Sequence, residues 1–440
     1  MRGLIREGNG FQGLFADPFR IEYQRLPRAH RQAGAMLFFF DFGNYFKMIR
    51  LAWNEKVPRA RYYYLAVLLI GVPITATFHA LCFFLDGILF PNLKKVDVRE
   101  PIFMVGHARS GTTLTHRLLS QDAGRFSSFR LYELYFPSLL QKVVIRAIAR
   151  FDEEKMRGLL IGQVRAWEEW RYGKMRHMHN MGLTEPEEDD IVLYWSMAAG
   201  FWITKMPYMA DLDFYAMNDW PAKKRRRYND FYRECVRRQL YLNGPEKIHL
   251  SKNPMYSGRV ASLIEAFPDA KIIVNVRNPY ETIPSLLSIM RAGWKQLGWD
   301  DEKQAETLKI LANQSWHTYL HPIETLDANP QTRGAIVDYR DLTSDPAATI
   351  ERVYRDLDLP MTDEFRERLA SEGKRERKHK TRHAYSLEQF GLEADAIRTE
   401  LGVLFDRFQW EDPESNGDEP VAAKSTDGHV KTDQEGEQNE

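Results

Sequence analysis

Gly106, Arg109, Ser110, Gly111, Thr112 and Thr113 fall within eight residues, "GHARSGTT", directly after the apolar run "PIFMV". Two glycines at this spacing permit a tight backbone path, and the successive N–H groups around residues 109–113 turn toward one anion. A helix starting near Thr112 adds its positive N-terminal end, Arg109 adds a cation, and the two threonines add hydroxyl donors. That combination is phosphate-binding chemistry. The triphosphate signature G-x-x-x-x-G-K-[ST] would place Lys at position 112, where this chain has Thr112. No acidic strand end offers a ligand for Mg²⁺ either, so the pattern argues against a nucleoside triphosphatase.

Arg277 and Ser285 make a second constellation. Arg277 closes "KIIVNVRN", and Ser285 follows eight residues later in the first turns of the next helix. A guanidinium and a hydroxyl so placed serve one anionic group, separate from the first. Lys252, in "HLSKNP", ends a neighbouring strand and aims at the same crevice. A nucleotide with two well-separated phosphates, gripped by two loops, is unlike ATP.

The elements that must position these residues alternate. "IFMVGH", "KIHLSK", "KIIVNV" and "GAIVD" read as buried strands, with "TTLTHRLLSQ", "SGRVASLIEAF" and "PYETIPSLLSIM" as helices between them. This rhythm predicts an α/β fold, a P-loop-like parallel sheet with helices on both faces. Ligands of such sheets sit at the carboxyl ends of the strands, where each motif falls.

Taken in order, "RSGTT", "SKNP", "FPDAKIIVNVRNP" with Ser285, and "VDYRDLTSDP" resemble the sulfotransferase superfamily, in particular its bacterial-type branch. "EPEEDD" and "HAYSLEQFGL" also recur there, and the resemblance runs from about Pro101 to Trp410. It implies 3′-phosphoadenosine 5′-phosphosulfate (PAPS) as co-substrate. The loop from Gly106 through Arg109, Ser110, Gly111, Thr112 and Thr113 would hold the 5′-phosphosulfate, and Arg277 with Ser285 the 3′-phosphate. Lys252 falls where the family's strand-end lysine approaches the transferring sulfuryl group. Many cytosolic members have Lys where this chain has Arg109. Soluble relatives also follow the strand-end lysine with a catalytic His, whereas Asn253, Pro254 and Met255 follow here. The base must come from elsewhere.

Sulfuryl transfer to an alcohol needs the acceptor proton removed and the equatorial oxygens neutralised, tasks for which Arg109, Lys252 and the loop N–H groups supply charge and dipoles. No metal is required in principle. For the base the expectation is Glu133, in "FRLYELYFP", since carbohydrate- and tyrosine-type sulfotransferases place a Glu at a comparable but closer spacing. Its rivals are Glu187, Glu188 and Asp189 in "TEPEEDDIVLYW", a run of four acids that ordinarily reads as a solvated helix start. The basic segment 374–392 precedes an apolar helix, and the resemblance implies that Lys380, Arg382 or His383 closes over the nucleotide.

Before this domain lies the most apolar part of the chain. Tyr64 to Phe84 contains no Asp, Glu, Lys or Arg, about enough to cross a bilayer. Arg59 and Arg61 precede it, Lys94 and Lys95 follow, and aromatic residues crowd both ends. Pro73 and Gly71 interrupt it, and His79 and Asp86 are awkward at membrane depth. The expected organisation is a basic, amphipathic region (1–61), an apolar membrane anchor or monotopic helix (62–93), the catalytic domain (98–410) and an acidic tail (411–440). The tail holds ten acids against two bases, so the neutral net charge of the chain conceals a body of +8. It has too little apolar surface to order itself.

Eleven Lys and Arg against five acids precede Tyr62, which favours a cytoplasmic location for that side. Cys82 and Cys235 make no disulfide framework. The expectation is a membrane-associated enzyme with its catalytic domain in the cytoplasm, the alternative being a Golgi-type lumenal domain. Its acceptor would be a hydroxyl-bearing small molecule, lipid or glycan. "KKRRR" at 223–227 has no supporting fold signal for nucleic acid, and nothing fixes an oligomeric state. Two other readings stay open: a P-loop NTPase or kinase, and a membrane-anchored nucleotide-binding protein without transfer activity.

Overall fold

Five short strands, almost every residue of them buried, pair into one parallel sheet. The computed structural model describes residues 38–172, 182–376 and 387–412. The strands are β1 (Ile102–Gly106), β2 (Phe126–Ser127), β3 (Ile248–Lys252), β4 (Lys271–Val276) and β5 (Gly334–Asp338), in the order β2-β3-β1-β4-β5. The side chains alternate between two cores. Phe103, Val105, Ile272, Val274 and Val276 pack on one side, and Ile102, Met104, Leu250, Ile273, Ala335 and Val337 on the other. Apolar residues at successive positions are what a sheet covered on both faces requires.

The helices are α1 (Phe42–Asn54), α2 (Pro58–Ala66), α3 (Val72–Leu89), α4 (Thr112–Leu119), α5 (Leu131–Tyr135), α6 (Leu139–Lys155), α7 (Leu159–Tyr172) and α8 (Ala222–Asn243). They continue with α9 (Val260–Ala266), α10 (Pro279–Gln296), α11 (Asp301–Ala328), α12 (Tyr339–Ser344), α13 (Pro346–Asp356), α14 (Asp363–Glu376) and α15 (Ala394–Phe408). The strands and crossover helices fall where the sequence pattern puts them, except that "SGRVASLIEAF" begins as a 3₁₀ turn (Pro254–Arg259) before α9. Register brings the functional ends level: Met104 lies opposite Lys252, and Gly106 opposite Asn275. The loops after β1, β3 and β4 therefore open into one crevice.

Residues Arg61–Leu89 form one continuous apolar helix, long enough to cross a membrane. A π turn (Val67–Gly71) joins α2 to α3, in keeping with the amide proton that Pro73 lacks. This helix docks on the part of the chain that carries the sheet. His79 meets Gln141 at 2.8 Å, and Asp86 accepts from Ser138 Oγ and the amides of Leu139 and Leu140 at the start of α6. Asp86 also pairs with Arg238 at 2.7 Å. The two residues that are awkward in lipid thus face protein. Cys82 and Cys235 are both buried and free.

Four histidines, three of them buried and His317 partly so, set a pH dependence. Burial lowers His107, His116 and His317 to about 4 and His321 to about 3. Unfolding lets each take up a proton below its ordinary value near 6.5, so stability is full above that pH and falls toward pH 4. Asp190, raised by burial to about 6, acts in the opposite sense over its own range but is a single group. Denaturant midpoints measured from pH 7 to pH 4 are expected to fall.

Candidate active site

The loop after β1 is tight because both glycines occupy positions closed to other residues. Gly106 has φ 133°, and a Cβ there would lie 2.2 Å from the Asn275 carbonyl oxygen. Gly111, at φ 92°, would place a Cβ 2.8 Å from the Tyr339 ring. Ser110 Oγ donates to the His107 carbonyl at 2.6 Å and braces the loop. Thr112 and Thr113 open α4, whose first amides have no partner within the helix. Arg109 is the only non-glycine residue of this loop with a left-handed backbone, φ 74°. Such a conformation costs about 1–3 kcal/mol and persists where the surroundings demand it.

The two candidate anion grips, separate in sequence, meet. Arg109 Nε donates to Ser285 Oγ at 3.2 Å, and Arg277 Nη1 donates to the Arg109 carbonyl at 3.3 Å. The Arg277 guanidinium lies over the Tyr339 ring at 4.1 Å and pairs with Glu281. Tyr319, from α11, clamps both loops: its ring stacks on His107 at 5.0 Å, and its hydroxyl donates to the Arg277 carbonyl at 2.8 Å. The roles of Tyr319 and Tyr339 escape a sequence reading. Tyr339 lies inside the quoted "VDYRDL" motif, but nothing local marks Tyr319.

The acidic run is not a solvated helix start. Asp189 Oδ2 takes a 2.9 Å contact from His249 and another from the Tyr232 hydroxyl. Asp190 faces Arg259 at 3.5 Å and accepts from the Phe201 amide at 2.7 Å. Glu187 and Glu188 both reach Lys252 Nζ at 3.6 Å. Lys252 is 1% exposed and Glu187 4%, whereas Glu188 is 26% exposed. Glu188 alone of the four lines a cavity of about 140 Å³ that also touches His107, Ala108, Phe201, Met255 and Leu286. Apart from Glu188 and a few hydroxyl, amide and imidazole groups, the walls of this cavity are apolar.

Glu133 lies elsewhere. It is fully buried in α5, where its carboxylate accepts from the Arg130 amide, the Tyr132 hydroxyl and Asn243 and pairs with Arg146 at 3.1 Å. The ion pairs of Lys252 go to Glu187 and Glu188, and that of Glu133 goes to Arg146. A carboxylate so enclosed anchors α5 against α6 and α8. Glu133, the expected base, thus has its carboxylate in the Arg146 pair, whereas Glu188, one of its rivals, lines the cavity. Lys380, Arg382 and His383 lie outside the described residues, as does most of the acidic tail.

Removing Asp190 by Asp190→Ala should leave Arg259 as an uncompensated buried charge, costing about 3–5 kcal/mol. It should also release the Phe201 amide in the cavity wall. Urea denaturation of the variant checks the first expectation.

A family model described as "Sulfotransferase family" matches residues 101–363. Omega-hydroxy-beta-dihydromenaquinone-9 sulfotransferase Stf3 of Mycobacterium bovis is 29% identical over 279 residues, as is the protein of that name from Mycobacterium tuberculosis. The aligned region is 59% of this chain and 63% of those relatives, so the chain spans under two thirds of their length. Among solved structures, sulfotransferase STF9 from Mycobacterium avium superposes with TM-score 0.66 at 20% identity, over 85% of this chain and 94% of that one. Sulfotransferase STF1 from Mycobacterium tuberculosis gives TM-score 0.54 at 18% identity, over 82% and 92%. These two likenesses establish the fold.

Proposed function

The chain belongs to the sulfotransferase family, and on that premise we propose that it transfers the sulfuryl group of PAPS to the hydroxyl of an apolar or amphipathic acceptor. The observation that carries this reading is Glu188, paired with Lys252, in the wall of an apolar cavity that shares His107 and Ala108 with the loop after β1. The loop N–H groups and Arg109 bind the 5′-phosphosulfate, and Arg277 with Ser285 binds the 3′-phosphate. Glu188 accepts the acceptor's hydroxyl proton as its oxygen bonds to sulfur and the sulfur–phosphate oxygen bond breaks. The bisphosphate leaves with that electron pair. Lys252 holds Glu188 and balances charge on the sulfuryl oxygens.

The cavity supports the acceptor class. Met255, Phe201, Ile203, Leu286, Met290 and Leu311 line it and favour a chain or ring without polar substituents near the reacting hydroxyl. A relative named for a hydroxylated menaquinone derivative points the same way.

Purified protein with sulfur-labelled PAPS is expected to label long-chain or polyprenyl alcohols in preference to sugars. Binding of the 3′,5′-bisphosphate without transfer to any lipid, sterol or carbohydrate alcohol would overturn the enzymatic reading. Calorimetric preference for ATP with Mg²⁺ over the bisphosphate would overturn the choice of donor.

A further inference from the structure

The apolar helix has a second face. Opposite the side that carries His79 and Asp86 into the protein, Ile70, Ile74, Phe78, Leu81, Phe84 and Ile88 are exposed, Ile74 by 65%. Their spacing of three or four residues makes one stripe along the helix. α6 packs directly beside α3 and carries a stripe of its own, Val144, Ile148 and Phe151. Its hairpin partner α7 adds Leu160, Val164, Trp167 and Trp170, the last 77% exposed. Outward-facing apolar stripes on three adjacent helices are more than a free soluble surface ordinarily carries.

Charge identifies the occupant. Between Phe42 and Lys95 there are seven Lys and Arg against two acids, Glu55 and Asp86, and Asp86 is spent on Arg238. Arg50, Lys56 and Arg59 gather at one end of the helix and Lys94 with Lys95 at the other, outside the stripe, and all five are exposed. Tyr62 and Tyr63 stand exposed beside the first group. Cations and aromatic residues rimming an apolar band fit an anionic lipid surface. A second copy docked through a two-fold axis would meet the same patch with the same charges.

The helix is not placed to cross. Tyr64 stacks on Trp299 near one end, and Asp86 binds Arg238 near the other, so the protein body covers one face along its length. We infer that the chain sits on an anionic bilayer as a monotopic protein, with the helix Arg61–Leu89 lying along the lipid surface beside the α6–α7 hairpin. The seat is coupled to the acceptor cavity. Trp299 donates from Nε1 to the Lys205 carbonyl at 2.8 Å, directly after the turn Gly200–Thr204 that lines the cavity, and stacks on Tyr64. This deepens the acceptor reading, on which its functional sense rests, by giving the amphiphile a source in the membrane. The test is read without turnover, so either can fail alone.

Full-length protein tagged at both termini is mixed with sealed vesicles of phosphatidylcholine, with or without phosphatidylglycerol, and sedimented. It should pellet with the anionic vesicles, less with the neutral ones, and less at high salt, with both tags open to external protease. The variant Ile74→Glu/Phe78→Glu/Leu81→Glu should lose about tenfold or more of this binding while keeping its affinity for the 3′,5′-bisphosphate, which reports a folded domain. Trp167→Glu/Trp170→Glu should weaken binding on the same bisphosphate control. Wild-type protein that stays in the supernatant would overturn the inference, as would protection of one tag, the mark of a span. So would a wild-type dimer that the triple variant makes monomeric with vesicle binding unchanged.

Discussion

Glu188→Gln is expected to slow sulfuryl transfer by about 10²–10⁴-fold, the usual worth of a positioned general base. Affinity for the 3′,5′-bisphosphate should stay unchanged, because the nucleotide grips lie on other loops. The amide keeps the shape of the side chain and its place in the cavity but accepts no proton near neutral pH. Steady-state kinetics with a soluble alcohol, read beside calorimetry, separate loss of turnover from loss of binding. Glu133→Gln makes the control. It weakens a buried pair with Arg146 and should cost about 1–3 kcal/mol of stability, with kcat of the folded fraction retained. If instead Glu133→Gln abolished turnover in a stable protein and Glu188→Gln did not, the assignment of the base would be reversed.

Arg277→Ala and Arg109→Ala should each lower bisphosphate affinity about 10–100-fold, the worth of one charge-assisted contact to phosphate. The two losses should not add. Arg277 holds the Arg109 carbonyl and Arg109 holds Ser285, so removing Arg277 loosens the loop that carries Arg109, and removing Arg109 frees the hydroxyl that serves beside Arg277. Titration calorimetry of both single variants and the double variant measures this coupling. A left-handed Arg109 where glycine would sit without cost fits a side chain with a task at this position. Affinity retained in both single variants would remove these arginines from the nucleotide site.

The sheet, the tight turn after β1 and the placing of Arg277 and Ser285 at a strand end and the next helix were legible in sequence because each is local. Apolar runs of five or six residues form strands, and Gly106 and Gly111 mark a backbone path that few other residues follow. Arg277 and Ser285 are spaced by one strand end and the first turns of one helix. That the two grips share a contact is not local, since it depends on how α10 sits against the loop after β1.

The proposed base shows the limit most clearly. Glu187, Glu188, Asp189 and Asp190 are consecutive and chemically alike, so no reading of the string ranks them. Their partners, Lys252, His249 and Arg259, come from about sixty to seventy positions downstream, and these decide which carboxylate is spent and which remains half-open at the cavity. Glu133 is favoured by its place in the string, which does not show that Arg146 and Asn243 enclose it once α6 and α8 pack. The apolar helix repeats the lesson. Composition alone marks a segment that avoids water; packing decides that its polar residues and one face belong to the protein, leaving the other face for a different surface. Sequence determines chemistry and local shape through short-range sterics and periodicity. Assigning each charge and each apolar face a partner is a long-range problem, and only the tertiary structure solves it.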